Sequence, residues 1–285
     1  MLEVAMFRAL IFLMGLLAMT QSAWAQRAGV GAWENSDNTM LEWIEGQDGL
    51  KWYYNWRPDQ MWHPGGQRRT VEFVPMIHSA KDVNKPIQSS LRPKALLAFN
   101  EPDGSTGEHQ ASISVAQAIS LWPALEARGL RLSSPVTTQG GTLGANSWQR
   151  QFMNEVQARG LRVDFMAVHY YSTNGNVNEF RNWLISVYNE YRRPIWVTEF
   201  AYVDWRRPQH VTFKENAAFA REAIAMINSL QFVERHAWFA ANPYPWGGQS
   251  PQMNLVDENL RPTPVGIAFD QTLRGIGPQQ VASLQ

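Results

Sequence analysis

Along most of the chain, short apolar runs alternate with segments whose apolar residues recur every three or four positions. Eight of the runs read as strands: Gly29 to Trp33, Leu50 to Trp56, Glu72 to His78, Ala95 to Asn100, Arg131 to Pro135, Phe165 to Tyr171, Pro194 to Phe200 and His236 to Ala240. Runs such as Ala95-Leu96-Leu97-Ala98-Phe99 and Ile195-Trp196-Val197 are apolar at every position, not every second one. That pattern belongs to strands covered on both faces in a parallel sheet.

The later helices are the clearer ones. Phe180, Trp183, Leu184, Val187, Tyr188 and Tyr191 fall on one stripe that should face the sheet, with Pro194 as the stop. Thr212-Phe213-Lys214-Glu215 has the form of a capping box and predicts a helix running to about Asn228. Two helix exits resemble each other, Ala127-Arg128-Gly129-Leu130 and Ala158-Arg159-Gly160-Leu161, and in each the glycine suits the left-handed position that closes a helix. After Trp33 and Trp56 the helical pattern is weak, so the early helices should be short or replaced by loops.

Eight alternating strands and helices in one domain fit a closed barrel or a doubly wound open sheet. Gly29-Val30-Gly31-Ala32-Trp33 leads into Glu34 and Asn35, not into the glycine-rich phosphate turn of a dinucleotide fold. A single (β/α)8 TIM barrel is therefore the expected architecture, with polar residues at the strand ends gathered on one face.

Composition adds a compartment and removes several chemistries. Arg8, the apolar run Ala9 to Met19 and the triplet Ala23-Trp24-Ala25 form a secretory signal pattern, so residues 1–25 are expected to be cleaved and the protein to be secreted or periplasmic. The run is shorter than the roughly 20 residues needed to span a bilayer, so no stable membrane anchor is expected. One catalytic domain should occupy 26–275, with a disordered tail at 276–285, and a monomer is the default. There is no cysteine, which removes disulfides, thiol nucleophiles and thiolate metal sites. Lys plus Arg and Asp plus Glu both number 25, so nothing here would bind nucleic acid by releasing counterions. Thirteen tryptophans exceed what a core requires, and their flat faces suit a neutral polysaccharide or oligosaccharide.

Two strand ends carry the candidate chemistry. Leu96-Leu97-Ala98-Phe99-Asn100-Glu101-Pro102-Asp103 ends a buried strand, the fourth, in an amide and a carboxylate; Ile195-Trp196-Val197-Thr198-Glu199 delivers one carboxylate from the seventh. Glycoside hydrolysis needs two carboxyl groups flanking one bond, and the ends of strands four and seven face each other across a barrel mouth. Taken singly, Glu199 could instead be a buried partner of an arginine, and Glu101 a helix N-terminal charge.

The segments Trp52-Tyr53-Tyr54-Asn55-Trp56, Phe73-Val74-Pro75-Met76, Asn100-Glu101-Pro102-Asp103, Val168-His169-Tyr170-Tyr171 and Trp196-Val197-Thr198-Glu199-Phe200 together resemble glycoside hydrolase family 128, in family order. The resemblance implies a retaining endo-β-1,3-glucanase, with Glu101 as acid/base, Glu199 as nucleophile and Asn100 on the sugar 2-hydroxyl. By the same analogy Tyr171 would donate to Glu199, and retention asks for carboxyl groups roughly 5 to 5.5 Å apart. His169 would orient a carboxylate or hydroxyl, or else serve as a barrel-core histidine. Trp33, Trp56 and Trp238 near strand ends one, two and eight, and Trp246 in the following loop with Tyr244, are the expected sugar platforms; Trp122, Trp148 and Trp183 fit the helix layer.

The six histidines show no metal-ligand spacing, and no G-x-S-x-G turn is present, so no metal and no cofactor are expected. Two other readings fit the same residues: a noncatalytic glycan-binding barrel, and a hydrolase of β-1,4 or mixed-linkage glucan.

Overall fold

The computed structural model describes residues 27–61, 69–105 and 109–275. The expected signal segment at 1–25, the expected tail at 276–285 and His63 lie outside them.

All eight expected strands are present: β1 Ala28–Gly31, β2 Trp52–Tyr54, β3 Glu72–Phe73, β4 Ala95–Leu96, β5 Arg131–Leu132, β6 Met166–Ser172, β7 Ile195–Tyr202 and β8 Val233–Phe239. Pairing is parallel throughout, running β3-β2-β1-β8-β7-β6 in one sheet and β4-β5 in a second ladder. Single parallel bridges join the two, Met76 with Leu97 between β3 and β4 and Ser133 with Phe165 between β5 and β6. The strands thus follow one another around a ring, which is the (β/α)8 order. Several ladders are shorter than their apolar runs. Past Phe73 the chain meets Pro75, which has no N–H to give, and only its carbonyl pairs, accepting from Leu97 N at 2.9 Å.

Between the strands lie α1 Met40–Glu45, α2 Val115–Glu126, α3 Gln139–Thr142, α4 Trp148–Arg159, α5 Val177–Tyr191, α6 Phe213–Ser229 and α7 Pro264–Leu273. The early half is reduced as expected, to the six-residue α1 and a single 3-10 turn at Ala80–Asp82. Helix α5 buries Phe180, Leu184, Val187 and Tyr191, while Trp183 and Tyr188 sit half-exposed at the stripe's edge. Burying each such side chain contributes about 1.5–3 kcal/mol. The stop is Arg192 in the left-handed region at φ 51°, two residues ahead of Pro194. Thr212 and Glu215 exchange the two bonds of a capping box at the start of α6. Gly129 and Gly160 have φ of 68° and 65°, the left-handed exits read from the repeated pattern.

The inside of the barrel is aromatic at its base. Trp52, Trp196 and Phe165 pack with ring centroids 5.5 and 4.2 Å apart, and Arg235 lies 4.4 Å from the Trp196 ring while pairing with Glu72 at 2.7 Å. Such bulk fits because β1 carries glycines: a Cβ on Gly29 would sit 2.3 Å from the Trp52 ring, and one on Gly31 would sit 2.6 Å from Trp56. A larger core, which includes Phe99, Trp122, Phe180, Phe200 and Trp238, fills the layer between strands and helices.

Candidate active site

The C-terminal ends of the strands open into a cleft of about 1130 Å³. Period two along β2 sends Trp52, Tyr54 and Trp56 to one side, and the structure turns that side inward. Trp56 follows in the left-handed region at φ 56°, and Glu101 does the same after β4 at φ 43°. Non-glycine residues seldom adopt this backbone, and where they do they cluster at functional sites. Here it aims both side chains into the cleft.

Glu199 is 5% exposed and surrounded by donors. Its Oε1 accepts from Trp56 Nε1 at 2.9 Å and from the Tyr54 hydroxyl at 3.2 Å, while Oε2 accepts from the Tyr171 hydroxyl. Glu101 Oε1 lies 3.0 Å from His169 Nδ1, and Oε2 accepts from Gln110 Nε2 at 2.8 Å. His169 is fully buried, and its Nε2 comes within 3.2 Å of Glu199 Oε1 but off line for a hydrogen bond, so that contact is one of charge. One imidazole therefore stands between the two carboxylates.

Burial and charge pull these groups in different directions. Burial pushes Glu199 up, helped by the Glu101 charge and opposed by His169, Tyr171 and Trp56; the net shift is upward. Burial pushes Glu101 up too, but the hydrogen bond and charge of His169, with Gln110, outweigh it and hold this carboxyl below its usual range. His169 is pushed down by burial and up more strongly by Glu199 and Glu101, so it keeps its proton above the ordinary histidine range. The imidazolium balances one of the two carboxylate charges, and it favours the ionised form of Glu101.

Asn100 is buried beside Glu101. Its Nδ2 donates to the His109 carbonyl at 2.9 Å, and its buried Oδ1 has no hydrogen-bond partner among the described residues. Asp103 accepts from Thr138 N at 2.9 Å and Thr138 Oγ1 at 2.5 Å, tying the turn after Glu101 to the loop after β5.

The platforms form one continuous wall. Trp33 lies 5.9 Å from Trp56 and 6.0 Å from Tyr244; Trp205 lies 5.6 Å from Trp246 and 5.1 Å from Tyr171. Arg57, Asp59, His78, Lys81, Asp82 and Lys85 add polar and charged side chains to the lining.

Glu101, Glu199, Asn100, Trp33, Trp56, Tyr171 and Trp246 all line the cleft. Trp238 does not. It is fully buried between β8 and the helices, against Phe200, Phe219 and Phe269, with Nε1 bonded to the Met253 carbonyl at 2.7 Å. Alternation along β8 points Ala237 and Phe239 toward the barrel and Trp238 away, so Phe239 is the residue that reaches the cleft. His169 likewise has no surface there, and its place is between the carboxylates rather than on a ligand. Tyr54, Gln110 and Trp205 were not singled out from the sequence. Inward period two could have found Tyr54; Gln110 and Trp205 sit in loops whose course no periodicity describes.

A sequence profile described as glycosyl hydrolase catalytic core matches residues 29–269. Among solved structures, a family 128 subgroup I endo-β-1,3-glucanase from Amycolatopsis mediterranei, in complex with laminaripentaose, superposes with a TM-score of 0.75 at 33% identity, covering 87% of this chain and 99% of that one. A family 128 subgroup VII oligosaccharide-binding protein from Trichoderma gamsii shares the fold, with a TM-score of 0.68 at 21% identity over 88% of this chain and 94% of that one. Alkali-sensitive linkage protein 1 of Schizosaccharomyces pombe is 27% identical over 215 residues, 70% of this chain but only 38% of that protein.

Proposed function

The chain belongs to glycoside hydrolase family 128 and is a glycoside hydrolase, and from that premise we propose that it cleaves β-1,3-glucan internally with retention of anomeric configuration, acting outside the cytoplasm. The observation that carries this reading is the pair Glu101, in the turn following β4, and Glu199, within β7, on either side of His169. Retention asks for carboxyl groups about 5 to 5.5 Å apart, closer than the gap that holds a water in inverting enzymes.

Glu199 is the nucleophile. The Trp56 N–H and the Tyr171 hydroxyl stabilise its charge and fix its oxygens, and Tyr54 shares its one proton between Glu199 and the Thr198 carbonyl, so the carboxylate is oriented before substrate arrives. It attacks the anomeric carbon while Glu101 gives a proton to the departing glycosidic oxygen, and a glycosyl ester forms on Glu199. Esterification removes a negative charge beside His169 and Glu101. Glu101, now an anion, takes a proton from water as that water attacks the same carbon, and Glu199 is released as a carboxylate. Asn100, which lines the cleft beside Glu101, bonds a sugar hydroxyl.

The linkage and the endo mode draw support from the Amycolatopsis relative and from an open cleft of about 1130 Å³ whose lining includes both Lys81 and Trp246. A chain can lie through such a cleft rather than present only its end. Retention of both carboxylates favours catalysis over the noncatalytic glycan-binding alternative.

The test is release of sized oligosaccharides from a panel of pure β-1,3, β-1,4 and mixed-linkage glucans. Short β-1,3 oligomers of several lengths appearing early support the reading. No release from any of them, or faster release from a β-1,4 glucan, overturns it.

A further inference from the structure

A general acid must present an oxygen to the leaving group, yet in the empty cleft both oxygens of Glu101 are engaged. Oε1 faces His169 Nδ1 at 3.0 Å and Oε2 accepts from Gln110 Nε2 at 2.8 Å. Of these partners His169 is fully buried and fixed by β6, whereas Gln110 is half-exposed, sits in the loop after β4 and lines the cleft. Gln110 is the partner that can give way.

Its resting place is specific. The amide lies directly over Gly104, where a Cβ would come within 2.1 Å of Gln110 Cδ, and Gly104 N donates to the Glu101 carbonyl at 3.0 Å. The turn that throws Glu101 into its left-handed backbone thus also forms the seat for Gln110.

We propose that Gln110 is a positioning residue that holds Glu101 as a carboxylate while the cleft is empty, and that the incoming glucan displaces its amide from Oε2, freeing that oxygen to carry the proton to the leaving group. This rests on the assignment of Glu101 as acid/base. A hydrogen bond donated to the ionised form favours that form, so its removal by substrate raises the proton affinity of Glu101 at the moment an acid is needed. The proton enters from solvent as the Oε2–H bond forms and leaves to the glycosidic oxygen as that bond breaks; Glu101 ends the step as an anion.

The test compares wild type with Gln110→Ala and Gln110→Glu. In the free protein, 13C NMR titration of the Glu101 carboxyl should move to higher pH by about one unit in Gln110→Ala, the size of one charge-assisted hydrogen bond in a half-exposed setting. It should move further in Gln110→Glu, where a second carboxylate opposes ionisation. The limb of kcat/KM that follows Glu101 in the free enzyme should shift with it. The matching limb of kcat, which reports the complex, should stay where wild type has it, because there the amide has already left.

An unchanged carboxyl titration in both variants overturns the proposal, as does a kcat limb that moves together with the kcat/KM limb. If wild type releases nothing from β-1,3-glucan, the functional reading fails on that measurement, and the carboxyl titration still decides whether Gln110 holds Glu101 ionised.

Discussion

Trp56 Nε1 donates to Glu199 Oε1 at 2.9 Å, so an indole from the end of the second strand reaches the carboxylate of the seventh. The ring was expected as a sugar platform, and its face does line the cleft. Its N–H has a second role in holding the nucleophile. Trp56→Phe keeps the ring contact with Trp33 and Tyr54 but removes that donor. Loss of a hydrogen bond to a buried charge costs about 1.5–3 kcal/mol, so kcat should fall roughly 10- to 100-fold with KM little changed. Steady-state kinetics on a β-1,3-oligosaccharide checks this.

His169→Asn should move the whole pH profile upward. The imidazolium lowers the proton affinity of both Glu101 and Glu199, so without it each carboxyl holds its proton to higher pH. The two limbs, one set by ionisation of Glu199 and the other by that of Glu101, should both shift to higher pH. A purely structural histidine would lower the rate at every pH and leave the limbs in place.

Most of the strands could be read from the chain because they are short, largely apolar runs between polar or helical segments, whereas Arg131-Leu132-Ser133-Ser134 is carried mainly by its place in the alternation. The candidate carboxylates were readable for the complementary reason: Glu101 and Glu199 are charged residues at the ends of buried strands, where nothing in the core would tolerate them. What the residues do not reveal is side-chain reach. Trp238 and Phe239 are equally aromatic, and only pairing with β1 and β7 fixes which of them faces inward. Tyr54 bonds Glu199 across the barrel, 145 positions away in sequence. Gln110 meets Glu101 only because a left-handed turn folds the loop back on itself, and no local pattern announces that.

Acid stability should depend on a histidine outside the cleft. His236 is fully buried against Phe200, neither ring nitrogen has a hydrogen-bond partner among the described residues, and burial, with Arg27, pushes it down to about 3. Its folded value lies below the unfolded one, so the folded state takes up fewer protons and stability is lost as pH falls from about 6.5 toward 3. At pH 4.5 the loss is roughly 2–3 kcal/mol. His236→Leu should leave the urea midpoint at pH 7 nearly unchanged and raise it at pH 4.5; an equal change at both pH values would contradict this account.

The central claim is that Glu199 forms a covalent bond to the sugar while Glu101 exchanges the proton. Proton NMR of a β-1,3-oligosaccharide such as laminarihexaose, recorded from the first minutes of hydrolysis, follows the anomer released before mutarotation. The account predicts that the β-anomer appears first, with the α-anomer growing in afterwards; initial release of the α-anomer would show inversion and contradict the nucleophilic role of Glu199.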